Sequence, residues 1–172
     1  FLCITLRFIL AQKTAPYAAQ ATLALEGSRM DEVLLKGEKE ISVSFHSPEV
    51  NTEGWLEKYS VTISARSMTA TVQVENAPYG TNPVDFFERV SNEWQGWNGE
   101  KDWASIEGEF SLAAKSDSTG HIEVTTRLEP SFYAPCWSSE VTLVVEAGQL
   151  EPLYRKFKAF FYPYSNKGSH AD

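Results

Sequence analysis

The chain holds only two cysteines, Cys3 and Cys136, in 172 residues. A disulfide scaffold needs more of them at closer spacing, and neither sits in a C-x-x-C pair, so structural zinc and thioredoxin-like chemistry have no support. Two free thiols in a reducing compartment is the plainer reading. Basic side chains are also scarce: 15 Lys and Arg against 23 Asp and Glu give a net charge of -8. That disfavours binding to nucleic acid or to an anionic membrane, both of which need a basic surface. Long apolar runs are lacking. The best candidate, Phe1 to Leu10, is interrupted by Arg7 and is far shorter than the roughly 20 residues that span a bilayer. Catalytic signatures are missing too: no G-x-S-x-G, P-loop, G-x-G-x-x-G or H-E-x-x-H occurs. His46, His121 and His170 stand isolated, with no His or Cys at metal-ligand spacing, so no cofactor or metal is expected.

What is present is a composition suited to a packed core, 42% hydrophobic and 13% aromatic. A chain of this length normally forms one domain and buries roughly 70% of its unfolded surface. Residues 1–29 stand apart in charge: three bases and one acid give +2, whereas residues 30–172 carry 12 bases and 22 acids, or -10. Ala19-Gln20-Ala21 has the small-x-small form of a signal cleavage site, but no basic region precedes the apolar run. A signal remnant, an extension ahead of a start at Met30, and a simple strand from Leu2 to Ile9 all remain open. The expected organisation is an N-terminal extension or extra strand (1–29), one α+β domain (30–165) and a flexible tail (166–172).

Periodicity supplies the elements. Ile41, Val43 and Phe45 alternate with Ser42, Ser44 and His46, a half-buried strand stopped at Ser47-Pro48. Tyr59 to Ala65 and Ala70 to Val74 alternate likewise across the short break at Arg66-Ser67, which predicts an antiparallel hairpin. Phe86, Phe87, Val90, Trp94 and Trp97 then recur at helical steps, with Asn82 as N-cap, Pro83 in the first position, Asp85 in the first turn, and Gly96 and Gly99 at the end. Ile106 to Leu112, Ile122 to Leu128 and Val141 to Val145 read as further strands, with a turn at Ser116 to Gly120. A second helix carries Leu150, Leu153, Tyr154, Phe157, Phe160 and Phe161 on its apolar side, with Pro152 in its first turn and Pro163 as its stop. The expectation is α+β: one antiparallel sheet of about six strands with two amphipathic helices on one face and Ser, Thr and Glu on the other.

The densest candidate site runs from Trp94 to Trp103. Trp94 and Trp97 follow the helix's apolar face and are expected to cap the core; Trp103 is less constrained and is the better surface candidate. Between Asp85 and Glu109 seven acids face two bases. Alternation places Glu107 and Glu109 side by side on one strand face, where they would serve acid–base chemistry, hold a cation, or form an ordinary solvated face. A concentrated negative surface best suits a basic protein partner. The candidate partner-binding residues are therefore Trp97, Glu100, Asp102, Trp103, Glu107 and Glu109. Arg155, Lys156, Lys158 and Lys167, near the second helix's C-terminus, suit its dipole.

Several of these stretches resemble a group of small bacterial proteins of unknown function: the helix ending Phe87 to Trp97, the W-x-S-[LI]-E-G strand from Trp103 to Gly108, the D-x-x-G-H-[IV] hairpin from Asp117 to Ile122, and the join from Val145 to Leu150. The layout over roughly Glu32 to Phe161 is also similar to the WapI-like immunity proteins of polymorphic toxin systems. That resemblance implies a cytosolic bacterial protein without catalytic residues; were residues 1–21 a signal remnant, the chain would be exported. The expected function is a non-enzymatic protein-binding module: an immunity protein that neutralises a toxin by occluding a basic surface, or a related interaction module. The alternatives are a small-ligand carrier built on a curled sheet and, third, a hydrolase using Glu107 or Glu109.

Overall fold

The structure, a computed structural model, describes residues 30–38, 40–76, 81–117, 119–130, 133 and 136–162. Expectations for residues 1–29, for the stop at Pro163 and for the tail lie outside the described residues.

Two four-stranded antiparallel sheets replace the single six-stranded one. The first is a meander of β1 (Glu32–Lys36), β2 (Ser42–Val50), β3 (Leu56–Ala65) and β4 (Met68–Glu75). The helix α1 (Pro83–Asn92) follows. The second is a meander of β5 (Glu100–Ala104), β6 (Phe110–Ser116), β7 (His121–Leu128) and β8 (Ser139–Glu146), followed by α2 (Ala147–Phe161). Both halves thus run four strands and then a helix. The two sheets remain open, with β1 and β4 at the edges of one and β5 and β8 at the edges of the other.

Alternation works as the sequence reading requires. In β3, Tyr59, Val61 and Ile63 are buried while Ser60, Thr62 and Ser64 face outward. Register pairs Ile63 with Ala70, Val61 with Val72 and Tyr59 with Val74 across the two-residue turn at Arg66-Ser67. The inner faces of both sheets and the two helices share one aromatic core. Phe45 of β2 meets Phe110 of β6 edge-to-face at 5.5 Å and Phe157 of α2 at 4.8 Å. Phe157 also stacks on Phe87 of α1 at 4.1 Å. Leu150, Leu153, Phe157, Phe160 and Phe161 form the buried stripe of α2, each worth about 1.5–3 kcal/mol of apolar burial.

The start of α1 is as expected. The Asn82 side-chain carbonyl accepts from the Val84 N–H at 2.9 Å, and Asp85 accepts from the Asn82 N–H at 2.8 Å, a capping box with Pro83 in the first turn. Its end is not: α1 stops at Asn92, ahead of both tryptophans expected on its face. The second helix begins earlier than expected, at Ala147, which moves Pro152 out of the first turn into the second. Pro152 has no N–H for the Gly148 carbonyl, and both residues lie on the exposed side of the helix. Two strands escaped the sequence reading. β1 carries Leu34 outward, so three consecutive apolar residues hide its alternation. β5 has one buried side chain, Trp103, in a pentapeptide whose first three residues are charged.

Candidate functional site

The six candidate residues fall into three environments. Glu100 and Asp102 project from β5 onto the outer face of the second sheet. In register with them lie Lys115 and Ala113 of β6, Glu123 and Thr125 of β7, and Val144 and Thr142 of β8. Lys115 binds Glu100 at 3.1 Å, and Arg127 binds Glu129 at 2.6 Å and reaches Glu140 at 3.9 Å. These contacts occupy the only two cations on that face among the described residues, whereas Asp102 and Glu123 have no ion-pair or hydrogen-bond partner through their carboxylates there.

The tryptophans correct the sequence expectation in both directions. Trp103, the expected surface residue, is 8% exposed. It packs edge-to-face on Phe110 at 5.4 Å and donates its indole N–H to Thr81 Oγ1 at 3.2 Å. It takes an inward position on β5, and a ring of that size fills the core there. Trp94, expected in the core, is 55% exposed, because the helix ends before reaching it. Trp97 is half-buried against the core, with Lys101 Nζ 5.2 Å from its ring centre; the same ammonium binds Glu93 at 2.7 Å. The Trp97 Nε1 is buried with no hydrogen-bond partner among the described residues.

Glu107 and Glu109 do not share a strand face. Ile106 to Glu109 is the turn joining β5 to β6, with Gly108 at φ 76° and the Gly108 N–H donating to Ser105 O at 3.0 Å. Glycine takes that left-handed conformation without strain. Ile106, expected to point inward, is 71% exposed. Glu107 is exposed, while Glu109 is 8% exposed and accepts a 2.8 Å hydrogen bond from the Ser105 hydroxyl. The shared strand face expected for the two carboxylates is therefore not formed. Buried Tyr59 lies near Glu109; burial first, and the carboxylate's charge second, hold its hydroxyl well above the usual phenol range.

Both glutamates line an open groove of about 650 Å³ between the β5–β6 turn and β4. Its β4 wall carries Thr71, Val72, Gln73 and Glu75; Pro130 and Trp137 add apolar surface. Only the glutamates could have been anticipated from sequence, since the groove joins segments from both halves.

The remaining polar clusters are closed on themselves. His46 bonds Ser47 Oγ at 2.9 Å and Thr62 Oγ1 at 2.8 Å, and Thr62 bonds Thr71 Oγ1 at 2.8 Å. His121 reaches Asp117 Oδ2 at 3.2 Å and Glu146 Oε1 at 3.4 Å, tying the β6–β7 turn to the start of α2. The Thr119 hydroxyl and the backbone N–H of His121 hold the Asp117 carboxyl far below its usual range. No group of three or more His, Cys, Asp or Glu among the described residues is arranged to hold a metal ion. No helix among them is long and apolar enough to cross a membrane.

Fold and site together define an α+β protein of two open antiparallel meanders around a shared aromatic core, with an acidic outer face and an acidic groove. The chain belongs to the family of unknown function DUF6228, whose model matches residues 34–164. No curated protein matches it. Among solved structures, the plant transcriptional regulator PBF-2 is similar over 75% of this chain and 82% of that one, at 9% identity and a TM-score of 0.43.

Proposed function

We propose that the chain is a non-enzymatic protein-binding module that covers a basic surface of its partner, in the manner of an immunity protein neutralising a bacterial toxin. The observation that carries this reading is the charge on the outer face of the second sheet. Glu100, Asp102, Glu123 and Glu140 stand there against Lys115 and Arg127, and both cations already serve internal ion pairs. Asp102 and Glu123 are left to meet an external cation. A rigid sheet fixes such charges in register, which favours steering and orientation of an oppositely charged protein.

The test is affinity capture from the native host, with the retained protein identified and then titrated against purified variants. Asp102→Lys with Glu123→Lys breaks none of the ion pairs on this face but sets a lysine opposite Lys115, a cost of roughly 1 kcal/mol or less. The fold should therefore be retained, as the melting curve checks, and the affinity should fall at least about tenfold. Equal affinity for wild type and the double variant would overturn the reading. Growth protection on co-expression with the captured protein, if it is toxic, addresses the neutralising role.

A further inference from the structure

The groove beside β4 has a feature that neither its charge nor its shape alone supplies. Among the described residues β4 pairs only with β3, and its second edge has no ladder hydrogen bond to any of them. The Asn76 N–H donates to Glu57 O at 2.7 Å, which makes residues 57 and 76 a hydrogen-bonded pair just beyond the ladder. Antiparallel pairs alternate between bonded and non-bonded. Glu75, Gln73 and Thr71, opposite Lys58, Ser60 and Thr62, therefore occupy non-bonded positions. Their backbone N–H and C=O groups point away from β3, and these three residues are among those that line the groove. The groove thus runs along a strand edge with its main-chain donors and acceptors unused within the sheet.

The surrounding side chains set the chemistry. Glu75, Glu107 and Glu109 line the groove, and no Lys or Arg does so among the described residues. Lys58 pairs with Glu75 at 3.0 Å from the neighbouring strand. Only one Glu109 oxygen has a hydrogen-bond partner among the described residues, the Ser105 hydroxyl. Val72, Pro130 and Trp137 supply apolar contact. The length from Thr71 to Glu75 is about 14 Å, enough to pair about five residues of an extended chain.

We infer that this groove binds an extended, Lys- or Arg-bearing peptide segment as an added strand on β4. Main-chain bonds to Thr71, Gln73 and Glu75 would give affinity, and alternate basic side chains would meet the glutamates. The inference rests on the reading of the chain as a binder of basic proteins, and it assigns a second contact, distinct from the outer face of β5 to β8.

The probe is a ten-residue fluorescent peptide of alternating Lys and Val, with a Glu–Val peptide as control, titrated against the full chain while amide spectra are recorded. The Lys peptide should bind at least about tenfold more tightly than the control and weaken with salt. Shifts and slowed hydrogen exchange should fall on the amides of Thr71, Gln73 and Glu75 and spare Ala70 and Val72. Glu107→Lys should weaken binding about tenfold. Gln73→Pro removes an edge N–H that β3 does not use, a position where proline is tolerated, so an intact spectrum with lost binding supports strand addition. Equal binding of the two peptides, shifts elsewhere, or full affinity in a folded Gln73→Pro variant would overturn the inference. Asp102→Lys with Glu123→Lys should leave peptide binding unchanged. A captured basic protein that ignores Gln73→Pro and Glu107→Lys but is lost with that pair would sink the groove and keep the broader reading. Peptide binding at β4 with no basic protein partner would support the groove and sink the broader reading.

Discussion

Phe157→Ala removes the ring on which the two halves meet. Phe157 is fully buried, stacks on Phe87 at 4.1 Å and meets Phe45 edge-to-face at 4.8 Å. It therefore joins α2 both to α1 and to the first sheet. Truncating a buried Phe costs about 3–5 kcal/mol, transfer and cavity terms together. The upper part of that range is expected, because three aromatic pairs, with Phe87, Phe45 and Phe161, of about 0.5–1.5 kcal/mol each are lost with the ring. About 4 kcal/mol is a large fraction of a typical stability of about 5–15 kcal/mol. In a chain of this size it should lower the melting temperature by about 8–16 °C. Urea titration followed by tryptophan fluorescence measures it, with exposed Lys158→Ala, one residue along, as the control expected to stay within about 0.5 kcal/mol. A loss below about 1.5 kcal/mol for Phe157→Ala would show that the ring is not the shared centre of one core.

Other perturbations test separate parts of the account. A Cβ at Gly37 would lie 2.5 Å from Leu143 Cδ2, and Leu143 is itself buried, so Gly37→Ala should cost about 1–3 kcal/mol by overpacking, read by the same titration. Asn82→Ala removes the cap of α1 and the 2.6 Å bond to the Tyr162 hydroxyl, and should cost about 1–2 kcal/mol. Asp117 has a folded pKa below its unfolded one, so its stabilising effect is present above the unfolded value, near pH 4, and is lost as pH falls towards the folded value. The stability gap between wild type and Asp117→Asn should therefore be full at neutral pH and narrow below about pH 5; a gap that widens with acid would contradict this. Tyr59 is shifted the other way, so wild type should lose stability relative to Tyr59→Phe as pH rises above about 10.

Local rules were legible in the sequence wherever one signal sufficed. The β3–β4 hairpin followed from strict alternation around Arg66-Ser67, and the start of α1 from Asn82-Pro83. What the sequence reading missed depends on competition between signals or on distant partners. Trp94 and Trp97 keep a helical spacing past Asn92, although the helix has ended; Trp97 still packs against the core, but spacing alone placed Trp94 there wrongly. Ile106 and Gly108 share the parity of Phe110 and Leu112, which disguised a turn as a strand. β5 carries its strand identity in its register with β6, not in its own composition. Whether the strands form one sheet or two is decided by edges, and edges leave no local pattern. The groove along β4 depends on that same non-local outcome, which is why two of its glutamates were found without the strand edge they face.

The central claim is that this acidic surface meets a basic protein. The most direct measurement is calorimetric titration of the captured partner with wild type and with the Asp102→Lys, Glu123→Lys variant, from roughly 0.05 M to roughly 0.5 M salt. The account predicts that wild-type affinity falls steeply with salt, and that the variant is at least about tenfold weaker at low salt and less sensitive to it. An affinity indifferent to both salt and charge reversal would contradict it.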